Sequence, residues 1–229
     1  MSLPEIVSRE EWRAARAELL VREKVVTRAR DVLNAERRGL PMVEVEEEYV
    51  FEGGDGKATL LELFEGRGQL VVYHFMFAPE WDAGCRSCSA FLDQIGHLAH
   101  LKARGTTFAA VSRAPYTKIL PFKARMGWTM PWYSSYGGGF NHDFAATLEH
   151  EGELSERPGV SCFLRDHDRV FHTYSTYERG LDGLGSTTSF LDLTALGRQE
   201  AWEEPRGRAS ALGAPAGSAR IRYHDEYED

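Results

Sequence analysis

The chain has few cysteines, no long apolar run and no excess of positive charge, and each absence argues against a class of protein. Three cysteines among 229 residues are too few for a fold held together by disulfides. The longest apolar stretch, Leu70 to Ala78, is much shorter than the roughly 20 residues that span a bilayer. A net charge of −8 disfavours a surface that neutralises nucleic-acid phosphates. We therefore expect neither a membrane partner nor a nucleic-acid partner.

The N-terminus also lacks the pattern of an export signal. Residues 1–8, MSLPEIVS, contain no basic segment followed by an apolar one, so we predict a cytoplasmic protein. In that compartment cysteines serve redox or metal chemistry more often than structural disulfides.

The chain length and the first 40 residues predict one folded domain with extensions. A chain of 229 residues suits a single core better than two full domains. Ser8 and Glu11 have the spacing of a capping box, and a stretch without proline or glycine follows as far as Arg38, which predicts a long helix. We predict an amphipathic helical arm at 1–41, a domain at 42–200, and a disordered tail rich in proline, glycine, alanine and serine at 201–229.

The predicted arm carries an apolar stripe that needs a cover. Apolar residues recur every seven positions along it, at Trp12, Leu19, Val26 and Leu33. Either the chain's own domain covers this stripe, or a second copy of the chain covers it in a homodimer.

Two cysteines separated by two residues, Cys85 and Cys88, are the strongest chemical signal. They follow a buried-strand pattern at Gln69–Phe77 and precede a helical pattern at Ser89–Arg104. A cysteine at a helix start lies among unpaired backbone N–H groups at the positive end of the helix dipole, which favours its thiolate. We expect Cys85 to attack as the thiolate and Cys88, which is more buried, to resolve the mixed disulfide. Arg86 places a cation between them.

The order of the elements predicts the fold class. Strands alternate with helices and end in a hairpin formed by Val160–Leu164 and Val170–Tyr177. This order is typical of an α/β sandwich with a mixed sheet. The two cysteines then lie at the carboxyl end of a central strand, where α/β sheets place their sites.

Five segments carry a resemblance to a known family: Gln69–Phe77, Gly84–Ser89, Ala110–Pro115, Met126–Trp128 and Phe171–Gly180. The chain resembles the bacterial thioredoxin-like proteins of a domain-of-unknown-function family, whose members are described as predicted dithiol–disulfide oxidoreductases. The resemblance extends from the first helix to about residue 204. It implies a thioredoxin-like three-layer sandwich with a central mixed sheet.

Three departures from thioredoxins bear on the site. Three residues separate Glu80 and Trp81 from Cys85, whereas thioredoxins have this pair directly before the cysteine, and the longer spacing resembles the approach loop of peroxiredoxins. His74 stands where thioredoxins bury an aspartate, so it is a candidate to exchange a proton with Cys88; the alternative is a core histidine bonded to the backbone. Val160 stands where thioredoxins have the cis-proline that faces the dithiol.

Aromatic residues supply further candidates. The segment Gly127–Phe144 is rich in aromatics and glycine but lacks the ending of a phosphate loop. We predict that Trp128 and Tyr136, together with Trp81 and Val160, line a substrate groove; ordinary loop packing is the alternative.

Two other features suggest chemistry less strongly. His97 and His100 lie too far along the predicted helix from Cys85 to share a zinc ion with it, so we expect no metal, and no cofactor. Cys162, in an apolar strand, is either a buried packing residue or an additional redox partner. Spacing assigns no role to Phe171–Gly180.

The resulting hypothesis is a thiol–disulfide oxidoreductase that cycles Cys85 and Cys88 between dithiol and disulfide. Its substrate is a protein disulfide or a small-molecule disulfide, and an unidentified thiol reduces it again. One alternative is a peroxiredoxin-like peroxidase in which Cys85 is oxidised and Cys88 condenses with it. The other is a non-catalytic binding module that retains the fold.

Overall fold

The computed structural model describes residues 4–205 and 215–228, and the chain divides into two compact units at Pro41. The first unit contains helix α1 (Arg9–Arg38). Its capping box is confirmed: Glu11 donates its backbone N–H to Ser8 Oγ at 3.2 Å, and Ser8 donates its own to Glu11 Oε2 at 2.9 Å. None of the helix's residues is buried. The cover of its apolar stripe therefore stays a prediction.

The second unit contains the remaining strands and helices. The strands are β1 (Val43–Glu44), β2 (Val50–Gly53), β3 (Gly56–Thr59), β4 (Gln69–His74), β5 (Thr106–Ser112), β6 (Trp132–Ser134), β7 (Thr147–His150), β8 (Glu153–Glu156), β9 (Gly159–Asp166) and β10 (Arg169–Tyr177). The α-helices are α2 (Arg86–Leu92), α3 (Ala99–Lys102), α4 (Tyr116–Arg125), α5 (Phe140–Asp143) and α6 (Ser186–Leu191). Short 3-10 helices lie at Glu62–Phe64, Glu178–Leu184, Gly217–Arg220 and His224–Glu226.

Eight of these strands form one mixed sheet in the order β1-β10-β9-β4-β5-β6-β2-β3. β4, β5 and β6 are parallel, whereas β9 pairs antiparallel with both β4 and β10. The predicted hairpin is therefore confirmed as β9 and β10. Strand β4 lies in the interior of the sheet, so its carboxyl end is flanked by β5 and β9.

Alternate residues of β4 enter two different apolar clusters. Tyr73 packs on one face with Cys88 of α2 and Phe122 of α4. Val72 packs on the other face with Phe64 and Phe140. Helical segments thus cover both faces of the sheet, which confirms the predicted thioredoxin-like three-layer sandwich with a central mixed sheet.

The structure differs from the sequence prediction at two places. The predicted helix over Ser89–Arg104 is broken, because α2 ends at Leu92 and α3 begins at Ala99. Gly96 lies in the gap and disfavours helix there. Residues 215–228, predicted as disordered, instead form 3-10 turns and bury Tyr223. The part of the predicted tail at 206–214 lies outside the described residues.

Candidate active site

Cys85 caps the start of α2, which confirms the helix-start position predicted for it. Its backbone N–H donates to the carbonyl of Met76 at 3.0 Å, just beyond the end of β4. Its own carbonyl accepts hydrogen bonds from the backbone N–H and the hydroxyl of Ser89, both at 2.9 Å. The loop after β4 therefore returns to the strand end and fixes the first cysteine there.

Gly84 allows this loop to lie against aromatic rings. A Cβ at this position would lie 2.5 Å from Cε1 of Phe75 and 2.9 Å from Cε1 of Phe122, closer than real Cβ contacts. Glycine is therefore required next to the first cysteine because of the close approach. The consequence is a dithiol that rests on an apolar, aromatic layer.

The surroundings of Cys85 favour its thiolate. The Cys88 thiol donates a hydrogen bond to the Cys85 sulfur, and the backbone N–H groups of Cys88 and Ser87 and the Ser87 hydroxyl add to it. Burial acts in the opposite direction, but the donors prevail and lower the pKa of Cys85 to about 6. At neutral pH Cys85 is therefore mostly the anion, which is the reactive form of a cysteine.

Cys88 has the opposite character. It is buried, and burial together with the neighbouring Cys85 raises the pKa of Cys88 well above its ordinary value. The Tyr73 hydroxyl and the Met76 backbone N–H donate to its sulfur and oppose this rise without reversing it. Cys85 is thus a half-buried anion, and Cys88 is a buried neutral thiol. No disulfide bond joins the two cysteines.

The structure does not bring His74 to the thiols. As the residue after Tyr73 in β4 it projects to the opposite face, where its Nε2 lies 2.7 Å from Ser161 Oγ and its ring lies beside Phe140. The predicted proton exchange with Cys88 is wrong, because the sheet separates the two side chains. Among the described residues, the hydrogen-bond partner of His74 is a serine hydroxyl rather than the backbone.

Three of the four predicted substrate-contacting residues lie in the cluster around the dithiol. Val160 is buried there, and Trp81 and Trp128 pack against it. The indole Nε1 of Trp128 also donates to Asp93 Oδ1 at 2.8 Å, just beyond the end of α2. Tyr136 is 61% exposed and is not brought to this cluster. Whether any of them touches a substrate stays a prediction.

Arg86 and Cys162 also lie near the dithiol cluster. The Arg86 guanidinium lies 5.4 Å from the ring centroid of Tyr223 and 3.8 Å from Glu226 Oε2. Cys162 packs against the dithiol cluster and lies opposite Val71 of β4. Within residues 4–205 and 215–228, no group of three or more potential ligands is placed to hold a metal ion.

Sequence reasoning missed Tyr73 and Tyr223. The alternation of side chains along β4 could have indicated Tyr73. Phe75, two residues further on, is also aromatic and faces the same side of the sheet as Tyr73. For Tyr223 the average composition of the tail concealed a single aromatic residue that packs beside Gly84.

The sequence profile of a family of bacterial proteins of unknown function, DUF899, matches residues 1–227. The chain belongs to this family. The match spans the arm, the sheet and the C-terminal turns, and it confirms the resemblance drawn from the sequence segments. No curated protein matches the chain.

Several solved structures are similar in fold. A bacterioferritin comigratory protein of Xanthomonas campestris, described by its alkyl peroxide reduction activity, is 15% identical over 63% of this chain and 94% of its own, with a TM-score of 0.47. Peroxidoxin BcpB of Mycobacterium tuberculosis is 18% identical over 60% and 85%, with a TM-score of 0.46. A candidate thiol:disulfide interchange protein DsbE of Chlorobium tepidum is 16% identical over 69% and 99%, with a TM-score of 0.42. At such low identities and scores the likenesses say nothing about activity.

No helix among the described residues is long and apolar enough to cross a membrane.

Proposed function

We propose that the protein is a thiol–disulfide oxidoreductase that cycles Cys85 and Cys88 between dithiol and disulfide. The proposal rests on one observation, which is that the pKa values of Cys85 and Cys88 are shifted in opposite directions. Hydrogen bonds lower the pKa of Cys85 to about 6, whereas burial raises that of Cys88. A nucleophile must be anionic and accessible, and a resolving thiol must stay neutral until a mixed disulfide forms beside it.

The reaction follows from this contrast. The Cys85 thiolate attacks one sulfur of a substrate disulfide, a Cys85–substrate disulfide forms, and the other substrate sulfur leaves as a thiolate. Cys88 then attacks Cys85, its proton passes to the departing second substrate thiolate, and the Cys85–Cys88 disulfide forms. Two electrons have moved from the protein to the substrate. A thiol reductant in the cell returns the pair to the dithiol.

The thiolate also bears on the reduction potential. Groups that stabilise the Cys85 anion stabilise the reduced protein relative to the disulfide. A pKa near 6 therefore favours a more oxidising couple than that of thioredoxin, whose potential is about −270 mV.

A thiol peroxidase is the second function that this pair supports. An accessible anion can attack a hydroperoxide, release an alcohol or water, and become a sulfenic acid. The adjacent Cys88 thiol can then condense with it, releasing water. The two proposals share the disulfide product and differ in the oxidant.

The test oxidises the reduced protein with a neutral small disulfide, hydroxyethyl disulfide, and with hydrogen peroxide. We expect the small disulfide to yield an internal Cys85–Cys88 disulfide, seen by mass spectrometry as the loss of two hydrogens and reversed by dithiothreitol. Cys88→Ser should accumulate the mixed disulfide on Cys85, and Cys85→Ser should not react. Cys162→Ser is the matched control and should behave as the wild type.

Two other outcomes would contradict the oxidoreductase proposal. Rapid oxidation by peroxide but not by the disulfide would favour the peroxidase. Failure of both oxidants, with the double variant Cys85→Ser, Cys88→Ser folding normally, would leave only the binding module.

A further inference from the structure

The last residues of the described chain, Pro215–Glu228, lie against the candidate active site; we call them the C-terminal segment. The Tyr223 hydroxyl donates to the carbonyl of Gly84, the residue before Cys85. Tyr223 is buried, belongs to the same apolar cluster as Cys88, and meets Phe122 edge-on with ring centroids 5.5 Å apart. The segment is therefore anchored beside the nucleophile.

Polar and charged groups hold the three residues that follow Tyr223. Arg125 of α4 donates two hydrogen bonds to Asp225, at 2.7 and 2.9 Å, and one to Glu226 at 3.1 Å. His224 Nδ1 lies 2.8 Å from Asp93 Oδ1, which also accepts from Trp128. Bidentate arginine–carboxylate pairs give a defined orientation as well as attraction. The position of the segment is thus specified at several points.

A cavity of about 730 Å³ lies between the C-terminal segment and Arg86. This volume is within the range of small-molecule sites, about 300–1,000 Å³. The lining residues are Arg86, Pro215, Ala219, Arg220, Ile221, Arg222, Glu226 and Tyr227. Arg86 is the residue that follows Cys85 at the start of α2, so the cavity adjoins the end of the helix that Cys85 caps.

The charge of the cavity is opposite to that of the whole chain. Three arginines and one glutamate line it, in a protein with a net charge of −8. The glutamate, Glu226, is already paired with Arg125 and lies 3.8 Å from Arg86. Guanidinium groups present several donors in a planar array that matches carboxylates. The cavity is therefore suited to an anion, with apolar side chains from Ile221 and Ala219 for its carbon skeleton.

We propose that this cavity binds a small anionic disulfide, of the class of carboxylate-bearing low-molecular-weight peptide disulfides, and presents it to Cys85. This inference rests on the proposed oxidoreductase function. The carboxylates pair with Arg86, Arg220 and Arg222, Cys85 attacks the nearer sulfur, and the other half leaves as a thiolate. That leaving thiolate develops its negative charge beside the same arginines. The C-terminal segment thereby selects the substrate by charge and size.

The test compares three small disulfides of different charge as oxidants of the full-length reduced protein: glutathione disulfide (anionic), hydroxyethyl disulfide (neutral) and cystamine (cationic). In Arg220→Gln, Arg222→Gln we expect the rate with glutathione disulfide to fall by about tenfold, because two cations that attract it are lost. The neutral probe should change by less than about twofold, and cystamine should react faster or at the same rate. The matched control is Arg28→Gln, Arg30→Gln, which removes the same charge at the same spacing on α1.

A second measurement needs no variant. In the wild type, the rate with glutathione disulfide should fall as salt rises, while the neutral probe stays constant. Equal losses for all three probes in the double variant, or no advantage of glutathione disulfide over the neutral probe in the wild type, would overturn the inference. If no probe oxidises the dithiol, the proposed function itself fails. If the neutral probe oxidises it but glutathione disulfide shows no charge-dependent advantage, only the anion site fails.

Discussion

Tyr73 and His74 are neighbours in one strand, yet they belong to two different buried polar groups on opposite faces of the sheet. On the first face, the Tyr73 hydroxyl bonds to Cys88, which in turn bonds to Cys85. On the second face, hydrogen bonds of 2.7 Å link His74 to Ser161, Ser161 to Ser175, and Ser175 to His172. Each group extends from buried side chains to half-buried ones, and the two groups differ in charge.

The hydrogen bonds from His74 through the two serines to His172 can all run in one donor-to-acceptor direction while both histidines are neutral. The His172 ring donates to the backbone carbonyl of Tyr174, so its Nε2 accepts from Ser175. Ser175 then accepts from Ser161, and Ser161 accepts from His74 Nε2. Burial lowers the pKa of His74 to about 3, which keeps it neutral. Its Nδ1 is left as an acceptor with no partner in the described chain.

The thiol face is built around an anion instead. Donors from Cys88 and Ser87 converge on one sulfur that remains partly accessible. Burial alone keeps His74 neutral, whereas burial together with several convergent donors stabilises the Cys85 thiolate. Under the proposed function the thiol face carries the chemistry, and the neutral histidine face takes no part in it.

The largest expected effect is the loss of chemistry on the thiol face. Cys85→Ser should lower the rate of reaction with hydroxyethyl disulfide by on the order of 1,000-fold or more, because a hydroxyl is not ionised at neutral pH. Ser175→Ala, on the histidine face, should change that rate by less than about twofold. Stopped-flow fluorescence measures both. Comparable losses in the two variants would contradict the division between the faces.

The next effect concerns stability in acid. Unfolded histidine takes up a proton near pH 6.5, but folded His74 does so only near pH 3, so the unfolded state binds more protons in between. The free energy of unfolding should therefore fall as pH drops from 6.5 towards 3, by about 1 kcal/mol per pH unit from this group.

Urea denaturation at several pH values measures this slope. His74→Gln should flatten it, and His150→Gln, which alters a histidine whose side chain is 89% exposed, should not. An identical slope in the wild type and in His74→Gln would mean that His74 is not the neutral buried group described here.

The smallest effect isolates the Tyr73 hydroxyl. Tyr73→Phe removes a donor to Cys88, so the pKa of Cys88 should rise further and resolution of the mixed disulfide should slow by roughly several-fold. The first attack by Cys85 should be nearly unchanged. Rapid-quench mass spectrometry separates the two steps. A slowed first step with unchanged resolution would show that Tyr73 acts on Cys85 instead.

Much of the fold followed from local sequence signals. The first helix with its capping box and the hairpin of β9 and β10 are found as predicted, because local propensity and apolar patterning agree there. The position of Cys85 at a helix start also followed from the strand-to-helix change around it. Such elements depend on neighbours in the sequence.

Features that depend on contacts between residues far apart in the chain could not be predicted from local sequence signals. Analogy with thioredoxins puts His74 on the thiol face, although strand alternation assigns that face to Tyr73. The C-terminal segment is held by Tyr223, whose contact with Gly84 joins residues 139 positions apart in the chain. Its composition resembles that of a disordered tail, and only the contacts of Tyr223 and the hydrogen bonds to Arg125 and Asp93 show why it is ordered.

The ionisation of Cys85 tests the central claim most directly. The ultraviolet absorbance of the thiolate, titrated against pH in the reduced protein and in Cys85→Ser, isolates this group. We predict a pKa of about 6 in the wild type, and a higher value for Cys85 in Cys88→Ala, because the strongest donor is then absent. A wild-type pKa at or above the ordinary cysteine value of about 8.5 would contradict the account.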